Sequence, residues 1–144
     1  MTVSAILATK GADVATASPH RTLGQIAATL AERKIGAILI TGSDGAIKGI
    51  LSERDIVRAI AAKGGAALDD ACSLHMTTTV MTCQREDLIA DVMEEMTKGR
   101  FRHMPVVEKG RLVGIISIGD VVKHRIADAV AESQSLRDYI QMAS

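Results

Sequence analysis

Tryptophan is absent from this 144-residue chain, and Phe101 and Tyr139 are its only other aromatic side chains. With so few π faces, stacking platforms for single-stranded nucleic acid and aromatic cages for cations are all but excluded. Neither sign of charge is in excess: 17 basic residues balance 17 acidic ones. A binder of the phosphate backbone normally carries a basic surplus, so a nucleic-acid partner is not expected. Cysteine is scarce, with Cys72 and Cys83 alone. Two thiols outside a C-x-x-C spacing cannot build a disulfide framework, and a zinc site would need His or carboxylate help. His20, His75 and His124 lack metal-ligand spacing. Apolar runs fall well short of the roughly 20 residues that cross a bilayer. The start, MTVSAILATKG, has no basic stretch followed by a long apolar core, as a signal peptide would. A soluble cytoplasmic protein with no membrane partner is the expectation. Neither a P-loop nor a G-x-G-x-x-G fingerprint occurs. What the chain does have is 47% hydrophobic and 24% charged residues, a composition that folds, as one compact domain or two very small ones.

An internal repeat organises it. With Val14-Ala15-Thr16 laid over Val80-Met81-Thr82, the apolar residues Leu23, Ile26, Leu30 and Ile35 fall on Ile89, Val92, Met96 and Phe101. One residue is then lost near Gly42-Ser43. Gly45-Ala46-Ile47-Lys48-Gly49-Ile50-Leu51-Ser52 falls on Gly110-Arg111-Leu112-Val113-Gly114-Ile115-Ile116-Ser117, and Asp55 falls on Asp120. Each unit predicts the same order, β-α-β-β-α. A short strand opens it (Val14 to Thr16; Val80 to Thr82), and an amphipathic helix follows (Leu23 to Lys34; Ile89 to Lys98). A buried strand comes next (Ala37 to Ile40; Met104 to Val107), then a Gly hairpin turn, a strand (Ile47 to Leu51; Leu112 to Ile116) and a helix from Ser52 or Ser117. The fold class expected is mixed α/β (α+β), two such repeats about a pseudo-twofold axis. Residues 1–62 would hold the first repeat with its N-terminal segment and a helical turn from Val3 to Leu7. Residues 63–79 would be the linker, 80–130 the second repeat, and 131–144 an extension of a last helix running to about Gln141. Within the linker, Ser73-Leu74-His75-Met76 echoes Ser4-Ala5-Ile6-Leu7.

The motif Gly49-Ile50-Leu51-Ser52-Glu53-Arg54-Asp55 returns as Gly114-Ile115-Ile116-Ser117-Ile118-Gly119-Asp120. Ser followed three residues later by an acid is a helix N-cap pattern, in which the hydroxyl satisfies a free N–H and the acid favours the positive end of the helix dipole. The same carboxylate at a strand-to-helix turn can accept hydrogen bonds from two adjacent hydroxyls, as in a ribose, beside a helix N-terminus that favours phosphate. The two readings are compatible, and the recurrence of strand, Gly, Ser and Asp at one spacing favours the second.

On these residues the chain resembles a tandem pair of CBS domains, the Bateman module, from about residue 3 to residue 130. The pattern apolar-x-apolar-Gly-apolar-apolar-Ser-x-x-Asp matches that family's nucleotide-binding signature twice. The resemblance implies a regulatory, energy-sensing module that is not an enzyme and that binds adenosine-containing ligands in two clefts. AMP is the first candidate, with NAD(H) or ATP next. It also implies that Asp55 and Asp120 hold the ribose hydroxyls, with Ser52 and Ser117 supporting ribose or phosphate. Each cleft would draw on the segment before the opening strand of the other unit: Lys10, Gly11 and Ala12 for Asp120, Thr78 and Thr79 for Asp55. The start of the second strand would touch adenine or phosphate, through Gly36-Ala37 in one unit and Arg102-His103-Met104 in the other. Aliphatic residues, Ile50, Ile115, Val80 and Met104, would sandwich the adenine. Arg54 beside Asp55, where Gly119 stands beside Asp120, implies clefts of unequal preference. Two other readings stand against this one: a small nucleotide-hydrolysing or Cys83-based thiol enzyme, and a nucleic-acid-associated regulator. A homodimer is expected, because Ile56-Val57-Ile60 and Val121-Val122-Ile126 offer more apolar surface than one small core covers.

Overall fold

A computed structural model describes residues 1–143. Its elements, in chain order, are α1 (Val3–Lys10), β1 (Thr16–Ala17), α2 (Leu23–Arg33), β2 (Ala37–Thr41), β3 (Ile47–Ser52), α3 (Glu53–Lys63), α4 (Ile89–Gly99), β4 (His103–Glu108), β5 (Arg111–Ser117) and α5 (Ile118–Ala143), with short 3-10 turns at Gly64–Asp69 and Cys72–Leu74. The chain forms two compact units, Val14–Val80 and Met1–Asp13 with Met81–Ser144. No helix among the described residues is long and apolar enough to cross a membrane.

In the Val14–Val80 unit, β2 lies between β1, parallel to it, and β3, antiparallel. The apolar spacing of α2 places Leu23, Ile26 and Leu30 in a core with Ile38, Ile40, Leu51 and Ile56. Thr22 and Gln25 close a reciprocal capping box at the start of α2. The segment treated as a linker is structured and belongs to this unit. Leu23 N–H donates to the Asp70 carbonyl, Cys72 N–H to that of Arg21, and Ile50 exchanges backbone hydrogen bonds with Thr77. Cys72 and Ala67 are buried in the same core.

The second unit takes its first residues from the other end of the chain. Sequence order groups residues 1–13 with the first repeat, but packing groups them with the second. Val3 and Ser4 N–H donate to the Asp87 and Arg85 carbonyls. Val3, Ile6 and Leu7 are buried with Ile89, Val92, Met96, Val106 and Ile116. The expected turn from Val3 to Leu7 is a full helix to Lys10. Its sheet has only β4 and β5. The strand expected at Val80 to Thr82 is reduced to one parallel bridge, Cys83 to Val106. Pro105 explains the loss. In the first repeat Leu39 N–H donates to the Ala15 carbonyl. The repeat lays Pro105 on Leu39 and Met81 on Ala15, and proline has no N–H to offer.

Both hairpins carry the same irregularity. The β2–β3 register shifts between Ile40 and Thr41, leaving Lys48 without an opposite residue, and the β4–β5 register shifts between Val106 and Val107, leaving Val113 so. An extra residue bends a strand and increases its twist. Here the bulge immediately precedes the motif glycine in each unit.

Candidate functional site

The Ser-x-x-Asp motif folds in both units as a strand running directly into a helix. Ser52 caps α3: its hydroxyl accepts from Asp55 N–H at 3.4 Å, and Asp55 Oδ2 accepts from Ser52 N–H at 2.9 Å and from its hydroxyl at 3.2 Å. Ser117 and Asp120 repeat this at the start of α5, at 3.2, 2.8 and 3.0 Å. The capping reading of the motif therefore holds in both copies. It uses one carboxylate oxygen, Oδ2, and does not consume the other.

The second strand of each unit starts beside the same helix. Glu53 N–H donates to the Gly36 carbonyl and Ile118 N–H to that of Arg102. Ala37 stands opposite Ser52 and His103 opposite Ser117 across the sheets. Gly36 and Ala37 thus gather with Ser52 and Asp55, and Arg102 and His103 with Ser117 and Asp120.

The motif glycines let a further segment approach. A Cβ on Gly49 would lie 2.6 Å from Met76 Sδ and 2.8 Å from the Thr77 carbonyl; on Gly114 it would lie 2.6 Å from Leu7 Cδ2. Met76 and Leu7 are the residues that the Ser73-to-Met76 echo of Ser4-to-Leu7 pairs. These approaches bring one more group to each carboxylate. Thr77 Oγ1 donates to Asp55 Oδ1 at 3.4 Å, and the largely exposed Arg58 guanidinium lies 3.6 Å from the same oxygen. At the other carboxylate, Lys10 Nζ donates to Asp120 Oδ2 at 2.6 Å. Burial alone would raise the Asp120 carboxyl. The Lys10 ammonium and the Ser117 backbone N–H and hydroxyl outweigh it and hold the group below the ordinary carboxylate value. Asp55, 8% exposed, is the one charged residue that is buried among the described residues.

The remaining candidates sort unevenly. Lys10 meets Asp120; Gly11, at φ 92°, ends α1 with its N–H on the Leu7 carbonyl, and Ala12 follows it exposed. The residue at Asp55 is Thr77, one position before the expected Thr78 and Thr79, which are exposed beyond it. The signal for Thr77 was the Met76–Leu7 echo, which sets it directly after the residue packed on Gly49. Ile50, Ile115 and Val80 are half-buried. Met104 is not: it is 0% exposed, inside the core with Val106 and Ile116, so its side chain is closed off from an adenine. Arg54 is exposed on the first turn of α3, and Gly119 is exposed at the matching place on α5. No cluster of three or more potential metal ligands occurs among the described residues. Cys83 is 4% exposed, and burial, with the charges of Asp87 and Glu95, pushes its thiol up to about 12.

Known proteins share this sequence pattern and fold. The CBS domain family model matches residues 3–62 and 70–127. The chain is 32% identical over 117 residues to the CBS domain-containing protein CBSX3, mitochondrial, of Arabidopsis thaliana, covering 78% of this chain but 57% of that protein. Among solved structures, the CBS-domain containing protein ATU1752 of Agrobacterium tumefaciens superposes with a TM-score of 0.85 at 50% identity, covering 86% of this chain and 92% of that one. The CBS domain protein PAE2072 of Pyrobaculum aerophilum, complexed with AMP, does so with a TM-score of 0.74 at 28% identity, over 83% and 89% of the two chains. CBS-domain pairs are generally regulatory modules. The family model covers most of the chain as two tandem copies, so this protein belongs to the CBS-domain family.

Proposed function

We propose that the protein is a non-catalytic sensor of adenosine nucleotides, with the ribose of one ligand held at Asp55 and that of another at Asp120. The observation that carries this is the divided use of each carboxylate. The helix cap occupies Oδ2 of both aspartates, which fixes each group at the mouth of a strand-to-helix turn; Oδ1 lies outside the cap, met at Asp55 by the Thr77 hydroxyl and the exposed Arg58, and a diol that bridges the two oxygens takes it up. The adjacent helix N-terminus favours a phosphate. Half-buried aliphatic residues nearby, Ile50 and Ile115, suit an adenine in a chain without tryptophan. AMP is the first ligand to test, supported by the relative crystallised with it, followed by NAD(H) and ATP. The reading includes a homodimer and a cytoplasmic location, to which two buried free thiols are suited. The enzyme alternative loses its best nucleophile, because a buried thiol pushed up to about 12 holds almost no thiolate at neutral pH.

Calorimetric titration tests the reading. Asp55→Ala and Asp120→Ala are each expected to weaken AMP binding by about 1–3 kcal/mol at one site, the loss of charge-assisted hydrogen bonds. A double variant that stays folded and titrates like the unmodified protein would refute the assignment.

A further inference from the structure

The two carboxylates share a cap and differ in what else holds them. Asp120 Oδ2 carries three donors, the Ser117 N–H at 2.8 Å, its hydroxyl at 3.0 Å and the Lys10 ammonium at 2.6 Å. The Lys10 and Asp120 side chains are 33% and 24% exposed. Lys10 is fixed from below: it ends α1, whose Leu7 is 4% exposed in the core and whose final turn is closed by Gly11 N–H on the Leu7 carbonyl. Asp55 receives instead, on Oδ1, a neutral hydroxyl from Thr77 and an arginine, Arg58, that is 75% exposed.

We propose that Lys10 makes the Asp120 site selective for nucleosides carrying an anionic group, a nucleoside 5′-phosphate above all, by exchanging its carboxylate partner for the ligand's phosphate. The proposal rests on reading Asp120 as the ribose acceptor. A ribose diol that bridges both carboxylate oxygens must displace one of the three donors already on Asp120 Oδ2. The Ser117 donors are part of the helix cap and stay. The ammonium is the one that can move, on a flexible stem of four carbons. Displaced inside a half-buried site, it loses its counter-charge, which is unfavourable unless another anion takes it up. A phosphate on the same ligand does so; a bare nucleoside does not. At Asp55 the diol displaces a hydroxyl that can rotate away without leaving a charge behind, and Arg58, 75% exposed, stays solvated if it is pushed aside, so the same penalty does not arise there.

The test uses the full chain with Asp55→Ala, so that only the Asp120 site is read, titrated calorimetrically with AMP and with adenosine. AMP is expected to bind at least tenfold more tightly than adenosine, the scale of one charge-assisted hydrogen bond. Adding Lys10→Met is expected to cut that ratio to threefold or less, weakening AMP while sparing or tightening adenosine. Lys10→Arg, which keeps the charge, is expected to restore the preference. An unchanged ratio in Lys10→Met overturns the role of Lys10. If the folded Asp55→Ala chain takes up neither ligand, the ribose reading of Asp120 fails with it. If Asp55→Ala does not fold, the comparison runs in the chain that keeps Asp55: one of two sites should lose its preference for AMP, and retention by both overturns the proposal.

Discussion

At the scale of single residues, the chemistry is set by what surrounds each ionisable group. The Lys10–Asp120 pair is the sharpest case, because its partners lie 110 residues apart in sequence and meet at 2.6 Å. Asp120 titrates below its ordinary value of 3.8 in the folded protein. A depressed carboxyl favours the fold wherever it is ionised: its contribution is complete above the unfolded value and disappears as pH falls through the lower folded one. Removing the lysine removes part of that contribution. Lys10→Met is therefore expected to cost about 1 kcal/mol at pH 7, the range of a partly exposed pair. The gap to the unmodified protein should close below pH 3.8, as Asp120 protonates in both chains. Thermal melts at pH 7 and in that acid range check this. A gap that persists undiminished in acid would mean that Lys10 contributes packing by its stem and not charge. The sequence identified Asp120 from its repeat and Lys10 from the family resemblance. The resemblance assigns Lys10 to the Asp120 cleft, but the direct bond between the two is not legible, since nothing local in either segment encodes a contact over that separation.

At the scale of elements, periodicity and caps were the legible part. The apolar spacing places α2 and α4 within a residue of where they lie, and Ser52 stands at the N-cap position of α3. Less legible was the segment after α3. Residues 63–79 read as a linker, yet 3-10 turns at Gly64–Asp69 and Cys72–Leu74 seal the unit through Cys72 and Met76. The pairing of the opening strand in the second repeat was lost to Pro105, visible in the sequence but meaningful only once its N–H is seen to be the one required. The two motif glycines allow a direct test of the close approaches. At Gly49 an added methyl would meet the Thr77 backbone carbonyl at 2.8 Å as well as Met76 Sδ at 2.6 Å, and a backbone held by two hydrogen bonds to Ile50 cannot easily give way. At Gly114 it would meet only side-chain atoms of Leu7, the nearest at 2.6 Å, and a packed side chain can shift by a few tenths of an ångström more readily than a hydrogen-bonded backbone. Gly49→Ala is expected to destabilise by about 1–3 kcal/mol, in the range for overpacking, and Gly114→Ala by clearly less. Denaturant unfolding of both variants would show it; equal losses would mean that the segment carrying Thr77 moves as readily as one side chain.

At the scale of the whole molecule, the question is what covers the aliphatic surface that each unit presents. On α3, Val57 and Ile60 are 66% and 39% exposed while their neighbour Ile56 is buried; on α5, Val122 and Ile126 are 41% and 59% exposed beside a fully buried Val121. Each second helix thus uses one edge for its own core and leaves an adjacent edge open, which is the pattern of a surface awaiting another surface. The 26-residue α5 adds to this. All of residues 129–143 are exposed, and a helical stretch of that length is marginal on its own in water. Its apolar positions Val122, Ile126, Ala129, Leu136 and Ile140 follow the alternating four- and three-residue spacing of a seam between helices, interrupted by Ser133. A second copy of the chain supplies equivalent stripes by symmetry. Light scattering at micromolar concentration is therefore expected to give a mass of about 30 kDa, twice the 15.2 kDa of one chain. Replacing Val57 and Ile126 together by Glu should lower it toward that of a single chain, because charges in a buried seam are strongly unfavourable, while the far-UV circular dichroism of the units survives. An unmodified protein that stays near 15.2 kDa would show that these stripes remain open to water.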